Sequence, residues 1–159
     1  MNMTKNLGKK AKDIESGKEG IISCRGEYLY GCSRYGIVHF NDKNEKENLW
    51  LCDAKVEILS EDVDEVYKKV LDKKEFDEPL ELGIEVKDEV TGFVGILTAR
   101  NVDVFECDSY QITPKVNKNE YQDSEWLDVG RLSPTGKNTI KKEEVRTKTP
   151  GSCEIRTRW

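Results

Sequence analysis

The strongest constraint on what this chain can fold into is that it contains one pattern twice. Leu7–Tyr35 reads LGKKAKDIESGKEGIISCRGEYLYGCSRY, and Leu82–Tyr110 reads LGIEVKDEVTGFVGILTARNVDVFECDSY. Offset by 75 residues, the segments align without a gap and agree at ten of 29 positions. Ordinary residue frequencies of about 5–7% would give roughly two agreements. The identities are Leu7/Leu82, Gly8/Gly83, Lys12/Lys87, Asp13/Asp88, Gly17/Gly92, Gly20/Gly95, Ile21/Ile96, Arg25/Arg100, Cys32/Cys107 and Tyr35/Tyr110. One inserted residue then places Trp50-Leu51 on Trp126-Leu127 and Val56 on Leu132. Fixed-period similarity of this kind marks a duplicated structural unit. A unit this small buries little surface alone. The two copies are therefore expected to pack together and share a core.

The unit has β character. Gly20–Tyr30 and Gly95–Phe105 are rich in β-branched and aromatic residues. Tyr35-x-Ile37-x-His39 and Tyr110-x-Ile112 alternate, as strands with one buried face do. Polar stretches at Asn41–Asn48 and Lys115–Asp123 read as loops, and Trp50–Asp53 and Trp126–Asp128 as further short strands. Gly17 and Gly92 each follow a Ser or Thr and suit a tight turn that needs positive φ. The fold class expected is mainly β: two tandem small SH3-like or KOW-like barrels joined by an amphipathic helix.

That helix is expected in SEDVDEVYKKVLDKKEF, with Ser60 as N-cap and acids in the first turn. Val63, Val66, Tyr67, Val70 and Leu71 form its apolar stripe, and Pro79 ends it. The organisation is then a first β unit over 1–59, a connecting helix over 60–80, a second β unit over 81–132 and a basic tail over 133–159. In that tail Thr139-Ile140 and Cys153–Trp159 have short-strand character.

Charge narrows the partners. The chain has 26 basic and 31 acidic residues, a net charge of −5. From Ser133 onward seven basic residues face three glutamates, so the tail is +4 and the body −9. An acidic body repels phosphate backbones, which argues against a general nucleic-acid binder. It suits a basic protein surface. No stretch is long and apolar enough for a membrane helix, and the N-terminus lacks an apolar signal region. A cytoplasmic protein is expected. The five cysteines (Cys24, Cys32, Cys52, Cys107 and Cys153) form no C-x-x-C motif. With His39 as the sole histidine, no structural zinc pattern can be built. Free thiols are expected, with no metal and no cofactor.

The string LG-x-x-VKD-x-VTGF-x-GI-x-TAR at Leu82–Arg100, followed by Cys107, Tyr110 and Trp126-x-Asp128, resembles a family of small phage- and prophage-encoded proteins. Members are typically single units of uncharacterised function. The match covers about 50 residues of the second half. Leu7–Asp53 resembles the family more loosely, with Lys18 where the second copy has Phe93. The resemblance implies a phage origin and a setting in the host-cell cytoplasm. It transfers no catalytic residues.

The residues themselves do not assemble chemistry. A Ser-His-Asp or Cys-His site would need His39, whose counterpart is Pro114. Walker, Rossmann and zincin patterns are missing. A non-enzyme is expected, with no catalytic residue. The repeated pairs Asp13/Asp88 and Arg25/Arg100 read either as an ion pair in each copy or as ligand-reading groups placed twice. Candidate binding residues are Arg25, Arg100, Tyr35 and Tyr110, together with Arg156, Arg158 and Trp159 in the tail. The leading expectation is a non-catalytic, anti-CRISPR-like inhibitor that occludes the basic surface of a host protein effector. One alternative is a sponge for a nucleotide immune signal, its pocket lined by the two Arg-Tyr pairs. The other is a KOW- or SH3-like adaptor to nucleic acid or polymerase that uses the basic tail. None of these readings sets the oligomeric state.

Overall fold

The computed structural model describes residues 3–115 and 123–140. The chain is mainly β. In order it forms β1 (Lys9–Asp13), β2 (Glu19–Tyr28), β3 (Arg34–Phe40), β4 (Lys46–Cys52), a turn of 3-10 helix (Asp53–Lys55) and β5 (Val56–Val63). Helix α1 (Glu65–Lys73) follows. The second series is β6 (Ile84–Asp88), β7 (Val94–Asp103), β8 (Ser109–Thr113), β9 (Glu125–Asp128), a 3-10 turn (Val129–Arg131) and β10 (Leu132–Thr139). Element by element the second series repeats the first at an offset of 75, and of 76 beyond β8.

The backbone divides into two units. One is drawn from the described residues up to Glu27, Cys32–Phe76 and Val102–Glu106. The other is drawn from Tyr28–Gly31, Asp77–Asn101 and the described residues from Cys107 on. Each unit therefore takes in a few residues whose sequence lies in the other copy. Within the first unit the ladder order is β4-β3-β2-β1-β5, all antiparallel. Within the second it is β9-β8-β7-β6-β10, again antiparallel.

The barrels expected from the sequence do not close. Among the described residues β4 does not pair with β5, nor β9 with β10. A single 3-10 turn, unlike a hairpin, carries the chain off the ladder at each of these junctions.

Two apolar cores form where one shared core was expected. In the first unit Leu7, Ala11, Ile22, Tyr35 and Ile37 gather with Val102 and Val104, and Tyr67, Val70 and Leu71 of α1 lie against them. In the second unit Val86, Leu97, Tyr110 and Ile112 make the centre. The borrowed residues are held by backbone as well as by packing. The Val104 N–H donates to the Ser23 carbonyl at 2.8 Å in the first unit. The Leu29 N–H donates to the Thr98 carbonyl at 2.8 Å in the second.

Three local expectations are revised. Ser60 is not the helix N-cap: β5 runs on to Val63, and the Asp64 carboxylate accepts from the Val66 and Tyr67 N–H groups. Five residues that read as helix start and stripe, Ser60–Asp64, thus precede the first helical turn. Ser133–Thr139, which read as the start of the tail, lie in β10, where Gly136 has φ of 73° and the register with β6 shifts between Pro134 and Thr139. Cys32 and Cys52 are disulfide-bonded, whereas Cys24 and Cys107 are free. The cysteine shared by the two copies has no common role, because Asp128 stands where Cys52 stands in the first copy. By contrast, Gly17 and Gly92 do turn the chain at positive φ, 77° and 79°.

Candidate binding groove on the first unit

The first unit carries a groove of about 1060 Å³. Its floor comes from β2 and β3, one wall from β4, and the other from the start of α1 and the segment Asp103–Glu106. Two glycines shape the floor. A Cβ on Gly36 would run into the Cys24 sulfur and touch the Trp50 ring at 3.4 Å. A Cβ on Gly20 would stand 2.7 Å from Ile37 Cγ2. Gly36 pairs with Trp50 across the β3–β4 ladder, so the bare backbone leaves room for the indole above it. The β3–β4 loop is held by Asn41, whose Oδ1 accepts from the Lys43 and Glu45 N–H groups, and by Asn44 at φ of 59°.

The groove gathers side chains that water disfavours. Phe40, Trp50, Val66 and Phe105 all line it and are 57%, 40%, 64% and 53% exposed. Tyr67 packs edge-on to Phe105, with ring centroids 4.9 Å apart. Large apolar groups clustered on a surface mark an interaction site more often than scattered ones do.

The charges around it are unequal. Lys10 and Glu19 pair at 3.3 Å. That leaves Lys46 against Asp64, Asp103 and Glu106. The Asp103 carboxylate accepts from the Phe105 and Glu106 N–H groups and fixes that short turn. Lys74 Nζ donates to the Asp103 and Glu106 carbonyls. The negative field is felt inside. Burial, then Asp103, pushes the Cys24 thiol up to about 11. Burial, then Asp64 and Asp103, raises the Tyr67 hydroxyl.

The matching positions of the second unit are built differently. Gln111 replaces Gly36, Ala99 replaces Cys24 and Lys115 replaces Phe40. Thr98 Oγ1 lies 3.2 Å from Gln111 Oε1 and 2.8 Å from Thr113 Oγ1, which reaches Ser124 Oγ at 2.8 Å. A ladder of polar side chains thus occupies what is open floor in the first unit.

The residues singled out by repetition lie elsewhere. Arg25 and Tyr35 meet in the first unit: Nη1 donates to the phenol at 2.5 Å, and the guanidinium lies 5.0 Å from the ring centre. Arg100 and Tyr110 meet in the second, 5.7 Å from guanidinium to ring centre, and Arg100 also pairs with Asp108 at 3.0 Å. All four are buried, and none lines the groove. Asp13 and Asp88 do not pair with these arginines. Each caps its own turn: Asp13 accepts from Ser16, and Asp88 accepts from Thr91 and from Arg131 in a two-pronged contact at 3.0 and 2.6 Å. A shared Asp-Arg spacing in both copies therefore reflects two separate structural jobs. His39 Nδ1 lies 2.6 Å from the Glu19 carbonyl. Arg156, Arg158 and Trp159 lie outside the described residues. Among the described residues no group of three or more His, Cys, Asp or Glu is placed to hold a metal ion, and no helix is long and apolar enough to cross a membrane.

Repetition directs attention to what the copies share, and the groove is made from what they do not. Cys24 appears in the alignment only as a mismatch, and Gly36 and Phe40 lie past its end. Phe105 joins the site from the other copy's sequence, which no local pattern signals.

Comparison with protein-family models, with curated proteins and with solved structures finds no match to this chain.

Proposed function

We propose that this is a non-catalytic binding protein that acts by covering a surface of a partner protein, as a phage-encoded, anti-CRISPR-like inhibitor of a host defence system would. The observation that carries the reading is the groove on the first unit, where Phe40, Trp50, Val66 and Phe105 stand exposed together. Exposed aromatic anchors grouped in one concavity supply binding energy once a partner dries them. The acidic body favours a basic target. The phage origin rests on the resemblance carried by Leu82–Arg100. The ladder order β4-β3-β2-β1-β5, with a 3-10 turn between β4 and β5, supports the finer assignment of each unit to the SH3-like group. A nucleotide sponge is less favoured, because Arg25 is buried against Tyr35 and Arg100 against Tyr110.

The test is a titration of purified nucleic-acid-cleaving defence effectors with the full chain. Inhibition of one of them should saturate near one equivalent and weaken as salt rises. Full inhibition at a small fraction of an equivalent would mean turnover and would overturn the reading.

A further inference from the structure

We propose that the groove of the first unit binds an extended segment of the partner in which arginine or lysine flanks an aromatic or large aliphatic side chain. This deepens the reading above and rests on it. Three observations choose that chemistry.

The first is complementarity of charge. Beyond the Lys10–Glu19 pair, the lining offers Asp64, Asp103 and Glu106 against Lys46. The Asp64 and Asp103 carboxylates accept from backbone N–H groups, and the Glu106 side chain forms no ion pair among the described residues. A cation entering beside Phe105 meets both the carboxylates and an exposed aromatic face. The two attractions act together where water is excluded.

The second is shape. About 1060 Å³ is at the upper end of small-molecule sites and suits several consecutive side chains. The third is the strand at its wall. β4 pairs with β3 on one side, and among the described residues its other edge has no strand partner. An unpaired edge beside apolar pockets takes an added strand, with backbone hydrogen bonds for affinity and side-chain pockets for selectivity. Gln111 in place of Gly36 and Lys115 in place of Phe40 change the floor in the second copy, so one such site is expected per chain.

The experiment uses the full chain and two fluorescein-labelled ten-residue peptides. One alternates arginine with tryptophan and leucine, and the other has glutamate for every arginine. Anisotropy should show the arginine peptide bound and the glutamate peptide unbound at about 100 μM protein, where a micromolar site is saturated. Glu106→Lys and Phe40→Ser, both at exposed positions, should each weaken binding about tenfold while keeping the wild-type melting temperature. Val94→Lys, which is exposed in the second unit, should leave it unchanged. The proposal is overturned if both peptides bind alike, if neither binds, or if Val94→Lys weakens binding as much as the groove variants do. It is also overturned if removing residues 141–159 tightens binding tenfold, which would make the chain's own tail the occupant. Self-association abolished by Phe40→Ser would assign the groove to a second copy and overturn it as well. Glu106→Lys and Phe40→Ser variants that still inhibit a defence effector stoichiometrically would leave the binding-protein reading standing and remove only the groove assignment.

Discussion

At the scale of single residues, the two aspartates that open the tight turns show how one position can be reused with different strength. Asp13 and Asp88 both accept from a hydroxyl three residues on and from the backbone of the turn. Asp88 has in addition the guanidinium of Arg131, and Lys55 stands at the equivalent place in the first copy. Arg131 holds the Asp88 carboxyl well below the usual carboxylate range, and Ser16 does the same more weakly for Asp13. A carboxyl depressed in the folded state stabilises the fold fully above its unfolded value of about 3.9 and loses that contribution as pH falls toward the folded value. Wild-type stability should therefore decline below about pH 4–5. The gap between wild type and Asp88→Asn should be widest at neutral pH and should narrow on acidification. Urea melts at pH 7, 4 and 2.5 check this, and a gap that widens in acid would refute the assignment.

At the scale of elements, most strands were legible because alternation and glycine placement are local signals. Gly20–Tyr30 and Gly95–Phe105 read as strands from their β-branched content, and the strands found are Glu19–Tyr28 and Val94–Asp103. The alternation at Tyr35, Ile37 and His39 falls in β3. The helix was legible as an apolar stripe but not in its start. Ser60 and Asp64 both precede acids and valines, and an N-cap is decided by which one follows the end of a strand. β5 continues to Val63 because its pairing with β1 outweighs the helical pattern of Glu61–Val63. Asp64 to Ala should cost about 1 kcal/mol, the usual worth of an N-cap, whereas Ser60 to Ala should cost a few tenths. Thermal melts of both variants check the assignment; equal losses would contradict it. The disulfide-bonded state of Cys32 and Cys52 was not legible. Spacing along the chain says nothing about which cysteines the fold brings within bonding reach.

At the scale of the whole molecule, the duplication announced the fold but concealed how the copies are completed. The alignment suggests two self-contained units cut somewhere near Pro79. The first unit instead needs Val102 and Val104, both fully buried in its core, and the second takes in Leu29. Val102–Glu106 and Tyr28–Gly31 come from matching places in the two copies, so the loan runs both ways. Nothing in a one-dimensional pattern distinguishes a residue kept from a residue lent. A chain ending at residue 80 should therefore fail to unfold cooperatively. Val104→Ala in the full chain should cost about 1–2 kcal/mol, somewhat less than the loss of a larger buried aliphatic. Denaturant melts monitored by tryptophan fluorescence test both; a sharp, wild-type-like transition in the truncated chain would disprove the dependence.

This exchange also sets an order of events during synthesis. A ribosome that has released only the first eighty residues has made every strand of the first unit but not the valines that fill its centre. Folding of that unit must wait for roughly a further two dozen residues to emerge, a delay of a few seconds at ordinary elongation speeds. In that interval the apolar interior stands open, and the nascent chain is at its most vulnerable to aggregation and to chaperone capture.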